Sequence, residues 1–244
     1  MHYPNKAIML VVTSMLYLSG FAGGAQAGPA AKADAQPTKQ AAVQQPEASA
    51  KEPAANAQHG QVLFKENCEV CHQEEGRGKP GLAPSLTNKE LLSAASDRFL
   101  LETIRDGRSP TAMPSFGAYM KDNDIKDIIA YLRSFHKTAL IGDRVDNDRP
   151  AMGDPRLGKR WFTQVCAGCH GVNGGGYAEA GSGSGTAIGT SGFLSKASDG
   201  FIRYIIMNGR SNTPMRGFYG PDGLASLTHQ EIDDIISYLR IIQN

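Results

Sequence analysis

Two stretches of the chain carry the helical period most clearly. Ile125, Ile128, Ile129 and Leu132 fall at i, i+3, i+4 and i+7, and Ile232, Ile235, Ile236 and Leu239 repeat the spacing. That period places each set on one face of an amphipathic helix. Thr228 and Glu231 form a capping box at the start of the last helix. Asp97 and Asp199, ahead of Phe99 and Phe201, are candidate N-caps of two further helices. No segment alternates convincingly as a strand, so the pattern predicts a mainly α protein. Gly171 to Gly192 is Gly/Ser-rich and reads as a loop. It lacks a Gly-Lys-Ser/Thr element, which excludes a phosphate loop.

The N-terminal pattern is different. Lys6, an apolar run from Ala7 to Leu18, and Ala25-Gln26-Ala27 have the form of a cleavable secretory signal, expected over residues 1–27. The apolar run is shorter than the ~20 residues a spanning helix needs. Gly28 to Asn56 is rich in Ala, Gln and Pro, too poor in large apolar residues to offset ordering, and is expected to be a disordered leader. The expected location is therefore the periplasm. The alternative is anchorage to the inner membrane facing the periplasm, with membrane association only if the N-terminal segment is retained.

The remainder is duplicated. Gly60, Phe64, Cys68, Cys71 and His72 recur 98 residues later as Gly158, Phe162, Cys166, Cys169 and His170. Gly107-Arg108-Ser109 and Met113 recur at an offset of 102 as Gly209-Arg210-Ser211 and Met215, and the isoleucine-rich helices at an offset of 107. Two copies of roughly 80 residues are duplicated domains rather than a solenoid. The expected boundaries are 57–138 and 156–244, with 139–155 as the linker. A formal net charge of +1 gives no strong field, so nucleic acid is not an expected partner.

The four cysteines carry the chemistry. Cys68-Glu69-Val70-Cys71-His72 and Cys166-Ala167-Gly168-Cys169-His170 have the spacing of covalent haem c attachment. One helical turn separates two thiols suitably for the two vinyl groups on one porphyrin edge, and the next residue supplies the proximal imidazole. Zinc is the main alternative, but zinc modules usually gather both cysteine pairs into one site. Here each pair lies inside its own repeat. A redox dithiol lacks the βαβ context it would need.

On these residues the chain resembles the class I cytochromes c in tandem dihaem form, over nearly all of His59 to Gln243. The resemblance implies two small helical domains, each around one covalent haem c. It implies packing of Gly60 and Phe64 against Tyr131, and of Gly158 and Phe162 against Tyr238. It implies that the Pro84 carbonyl accepts the second N–H of His72. No proline lies between His170 and Pro214, so another carbonyl near Ala187 to Gly189 is expected to serve His170. Met113 and Met215 are the implied distal ligands, giving His72/Met113 and His170/Met215 as the two iron ligand pairs. Met120, Met152 and Met207 are fallbacks, and His59, His136 and His229 weaker ones. Arg108 and Arg210 are either haem-propionate partners or solvated turn residues.

So small a domain buries a small core, and the haem must complete it. Iron with both axial positions filled passes electrons without changing ligands. An electron-transfer protein without its own catalysis is expected, working with redox protein partners or a membrane respiratory complex. A soluble shuttle, a subunit of an oxidase or dehydrogenase complex, and a dihaem peroxidase or sulfur-compound dehydrogenase are the competing forms.

Overall fold

The computed structural model describes residues 54–179 and 183–243; the expected signal peptide and most of the leader lie outside them. Eleven α-helices are present among the described residues: α1 (Ala57–Asn67), α2 (Glu69–His72), α3 (Lys89–Ala94), α4 (Asp97–Asp106), α5 (Asp122–Arg133), α6 (Gly142–Asp146), α7 (Pro155–Trp161), α8 (Ala167–His170), α9 (Ser191–Leu194), α10 (Asp199–Asn208) and α11 (His229–Ile242). The described residues contain isolated β-bridges but no strand, so the mainly α expectation holds. Two helical repeats, α1 to α5 and α7 to α11, follow one another along the chain.

In each repeat the first helix crosses the last one on a glycine. A Cβ on Gly60 would stand 1.9 Å from the Asp127 carbonyl oxygen, and one on Gly158 would stand 1.9 Å from that of Asp234. No other residue permits so close a crossing. The contact brings Phe64 to 5.5 Å from Tyr131 and Phe162 to 5.4 Å from Tyr238, ring centre to ring centre. Both phenylalanines are buried, a burial worth about 2–3 kcal/mol each. The isoleucines of α5 and α11 face the same cores, as their period requires.

Polar ties repeat just as faithfully. Asp127 accepts from the Asn56 N–H at 2.6 Å and Asp234 from the Asp154 N–H at 2.8 Å, so each last helix holds the residue that caps the first. Arg133 donates to the Leu92 and Ala95 carbonyls and to Asp97; Arg240 does the same to Leu194, Ala197 and Asp199. These arginines explain a correction. The N-caps of α4 and α10 are Ser96 and Ser198, whose hydroxyls accept from the Phe99 and Phe201 N–H groups at 3.1 and 3.0 Å. Asp97 and Asp199 sit one residue later, drawn to the arginines of the last helices. Thr228 and Glu231 make the expected capping box.

The segment expected as a linker is not bare. It contains α6, with Gly142 and Val145 buried, and a Cβ on Gly142 would stand 2.5 Å from the Ser96 Cα. From α6, Asp146 accepts from both cap hydroxyls, Ser96 at 2.6 Å and Ser198 at 2.8 Å. Ser96 and Ser198 are equivalent in the repeat, so one carboxylate joins the two helix starts. Next to it Phe99 meets its counterpart Phe201 at 4.7 Å. The described residues accordingly fall in one compact unit. A second tie involves Asp233, almost fully buried, which accepts from Arg203 at 2.8 Å and from Arg149.

Candidate haem sites

Both cysteine motifs begin with the same break in the helix. Cys68 (φ −115°, ψ −33°) caps α1 through its N–H to the Phe64 carbonyl, and the chain resumes as α2. Cys166 (φ −110°, ψ −41°) ends a π-turn over Phe162–Cys166 before α8. In each motif the second thiol and the histidine lie on one short helix, with the first thiol at its N-cap. Burial, with a lesser push from the neighbouring cysteine, raises the Cys68 and Cys166 thiols to about 12. A reactive dithiol wants the opposite shift. Among the described residues no three His, Cys, Asp or Glu side chains gather as a metal cluster.

The two histidines are held alike. His72 is buried, and its Nδ1 donates to the Pro84 carbonyl at 2.9 Å, as the resemblance implied. His170 Nδ1 donates to the Thr186 carbonyl at 2.7 Å, one residue before the expected Ala187 to Gly189 span. Thr186 stands 102 positions after Pro84, so the acceptor keeps its place in the repeat while proline is dispensed with. A carbonyl needs only backbone. In both rings this bond leaves Nε2 as the free donor atom, with no hydrogen bond among the described residues, and makes it a better ligand. Burial lowers both imidazoles below their ordinary value; the carbonyl opposes this, and nearby guanidinium charge adds to it. The rings are neutral at pH 7, as iron ligation requires.

The methionine loops are copies as well. Gly107 (φ 71°) and Gly209 (φ 72°) turn the chain where a Cβ would stand 2.6 Å from the backbone of Pro114 or Arg216. The Arg108 N–H then donates to the Met113 carbonyl at 3.1 Å, and the Arg210 N–H to that of Met215 at 2.8 Å. Thr111 and Thr213 hydroxyls accept from the methionine N–H groups. Met113 and Met215 are half-buried, and Met215 packs on the core. Of the fallbacks, Met120 is buried in the core, Met207 packs against it and Met152 is exposed. The fallback histidines are engaged elsewhere: His59 with Asp127, His136 with the Thr87 carbonyl, and His229 tilted against the Tyr219 ring.

Arg108 and Arg210 are not solvated turn residues. Burial pushes both guanidinium groups down, to about 10. The Arg108 Nε is buried without a hydrogen-bond partner among the described residues. An enclosed cation with an orphaned N–H is costly unless an anion completes it, and a haem carboxylate suits it. The donor set of each repeat thus fits a haem: two thiols, a neutral imidazole, a thioether and a guanidinium. Sequence reasoning passed over Arg133 and Arg240, although their offset of 107 matches that of the helices that carry them.

Residues 55–132 match the family described as cytochrome c oxidase, cbb3-type, subunit III, and residues 156–243 match that described as cytochrome c. Cytochrome c6 of Cyanidium caldarium is 33% identical over 85 residues, 33% of this chain and 72% of that protein. The chain belongs to the cytochrome c family. Its two cytochrome c repeats carry two covalently bound haem c groups. The cbb3-type cytochrome c oxidase subunit CcoP of Rubrivivax gelatinosus is 36% identical over 141 residues, 57% of this cytochrome and 42% of that subunit. The corresponding subunit FixP of Azorhizobium caulinodans is 33% identical over 130 residues, 50% and 41% of the two chains. The cytochrome therefore spans about two fifths of the length of these curated relatives. No helix among its described residues is long and apolar enough to cross a membrane.

Proposed function

We propose that this dihaem cytochrome is the electron-entry part of a cbb3-type oxidase, passing electrons through two His/Met-ligated haems outside the cytoplasm. The observation that carries the reading is the duplicated ligand frame: a buried, carbonyl-oriented histidine and a glycine-turned methionine loop occur in both repeats. Cys68 and Cys71 attach one haem and Cys166 and Cys169 the other. His72 with Met113, and His170 with Met215, would hold the two irons. When bound, the haem supplies a one-electron Fe(III)/Fe(II) couple, and thioether ligation favours the reduced state.

The chain's own residues keep the iron surroundings unchanged as the electron passes. The Pro84 and Thr186 carbonyls fix the imidazole planes. Phe64 with Tyr131, and Phe162 with Tyr238, hold the helices that carry the cysteines. With Met113 and Met215 holding the irons, no position would be left for a substrate, so the chain would turn nothing over by itself and catalysis would belong to its partner. The oxidase assignment rests on the match of residues 55–132 and on the CcoP and FixP relatives. Residues 1–27 either leave as a signal peptide or stay as the anchor, and an oxidase subunit fits the second case.

Oxygen uptake by a cbb3-type oxidase core deprived of its dihaem subunit tests the reading. Addition of the full chain is expected to restore uptake driven by a reduced donor, with negligible peroxide or thiosulfate turnover by the chain alone. No restoration, alongside fast electron exchange with a soluble acceptor, points instead to a free shuttle. Met113→Ala and Met215→Ala are each expected to open one haem to added ligands, and an unchanged spectrum assigns the ligand elsewhere.

A further inference from the structure

The two halves meet through an interface that obeys its own symmetry. Arg108, Ser109, Ser85, Glu90 and Phe99 correspond at the 102 offset to Arg210, Ser211, Ala187, Gly192 and Phe201. Arg108 Nη2 donates to the Ala187 carbonyl, and Arg210 Nη2 donates to the Ser85 carbonyl. Gly192 N–H donates to the Ser109 carbonyl at 3.2 Å, while the Ser211 N–H and hydroxyl donate to Glu90, both at 2.7 Å. Phe99 faces Phe201. Contacts that pair i with j and j with i are the mark of an isologous interface, here between two halves of one chain.

The destinations of the arginines matter most. Arg108 also lies 4.8 Å over the Phe193 ring, and Arg210 Nε donates to Asn88 at 3.3 Å. Every side-chain hydrogen bond and ring contact described for either guanidinium is with the opposite repeat, while the charge of each also acts on the histidine of its own. Ser85 directly follows Pro84, whose carbonyl orients His72, and Ala187 directly follows Thr186, whose carbonyl orients His170. We infer that Arg108 and Arg210 act in trans: each is a positioning residue for the haem site of the opposite repeat, tying its own methionine loop to the segment that orients the opposite proximal histidine. The inference rests on the His/Met reading proposed above.

The arrangement has a physical consequence. Each histidine-orienting carbonyl is followed by a peptide held by a charged, planar donor, which fixes its direction more firmly than water would. That donor belongs to the loop bearing the other haem's distal ligand. The two guanidinium groups also repel one another across the interface, so neither settles independently of the other. A disturbance of one methionine loop therefore reaches the other haem without passing through its own.

The test labels one haem and perturbs the other side. In the haem-loaded full chain, Met215→His is expected to abolish the methionine-to-iron charge-transfer band of the second haem, leaving that of the first. In this background Arg210→Lys keeps the charge but loses the planar fork. It is expected to shift the first haem's midpoint potential and to lower the denaturant concentration at which the surviving band disappears. Both shifts should be at least twice those from Arg108→Lys, which lies in the first haem's own loop. The mirror experiment, Met113→His with Arg108→Lys, should move the second haem. If Arg210→Lys fails to take up haem, Ser211→Ala removes one of the same loop's two hydrogen bonds to Glu90 and should move the first haem in the same direction by less. A first haem unmoved by Arg210→Lys or Ser211→Ala, or moved chiefly by Arg108→Lys, overturns the inference. If Met215→His leaves both methionine bands intact, the ligand reading falls and the inference falls with it.

Discussion

Replacing Asp146 by alanine should loosen the whole chain rather than one half of it. The carboxylate is 13% exposed and accepts from Ser96 at 2.6 Å, Ser198 at 2.8 Å and Arg98 at 3.0 Å. Hydrogen bonds to a charged acceptor contribute about 1.5–3 kcal/mol each. The Arg98 pair, half exposed, adds under about 1 kcal/mol. Released hydroxyls regain some water at this partly buried site, so the low end of the range applies, and the loss is about 3 kcal/mol. At this chain length that lowers the melting temperature by roughly 6–12 °C. Asp146→Asn keeps one acceptor and should recover about half of the loss. Urea unfolding of the haem-loaded protein, followed by circular dichroism, measures the difference. A cycle with Ser96→Ala should give a coupling of about 1 kcal/mol or more. An alanine variant within about 0.5 kcal/mol of the parent would refute the idea that this carboxylate joins the two helix starts.

Gln73 sits at φ 62°, ψ 168°, where its counterpart Gly171 sits at φ 78°, ψ 158°. Gln73→Gly should therefore stabilise the first repeat by about 1 kcal/mol, the strain relieved less the entropy of glycine, and a lower urea midpoint would disprove it. Gly60→Ala should cost about 3 kcal/mol or more and reduce the haem retained on purification, because backbone, not a pliable side chain, meets the new methyl group. Burial alone would raise Asp233, but hydrogen bonds and charge from Arg149 and Arg203 outweigh it and hold the carboxyl below its ordinary value. Its contribution is thus present above the unfolded carboxyl pKa and lost as pH falls through the lower folded one. Asp233→Asn should be less stable by about 3 kcal/mol at pH 7. The gap should close on acidification below about pH 4, and a pH-independent gap would contradict the assignment.

What the sequence determined by itself was everything that repeats or recurs at short range. The thiol and imidazole spacing is a property of one helical turn. The isoleucines of α5 and α11 announce their buried face through their period. The Thr228–Glu231 capping box closes over three residues, and the duplication located Met113 and Met215 by their offset. Tertiary structure decided what depends on side chains meeting across long stretches of chain. Asp97 and Asp199 have good N-cap chemistry, yet Ser96 and Ser198 do the capping. Arg133 and Arg240, brought in by the last helices, claim the aspartates, and Asp146 arrives to take the serine hydroxyls. The acceptor for His170 is the Thr186 carbonyl, a backbone atom that every residue offers, so composition does not single it out. The arginines look alike in sequence whether they lie in water or beneath the other repeat. Only the packing of the two halves buries them, because a contact between residues some eighty to a hundred and twenty positions apart has no local energy by which a linear pattern would reveal it.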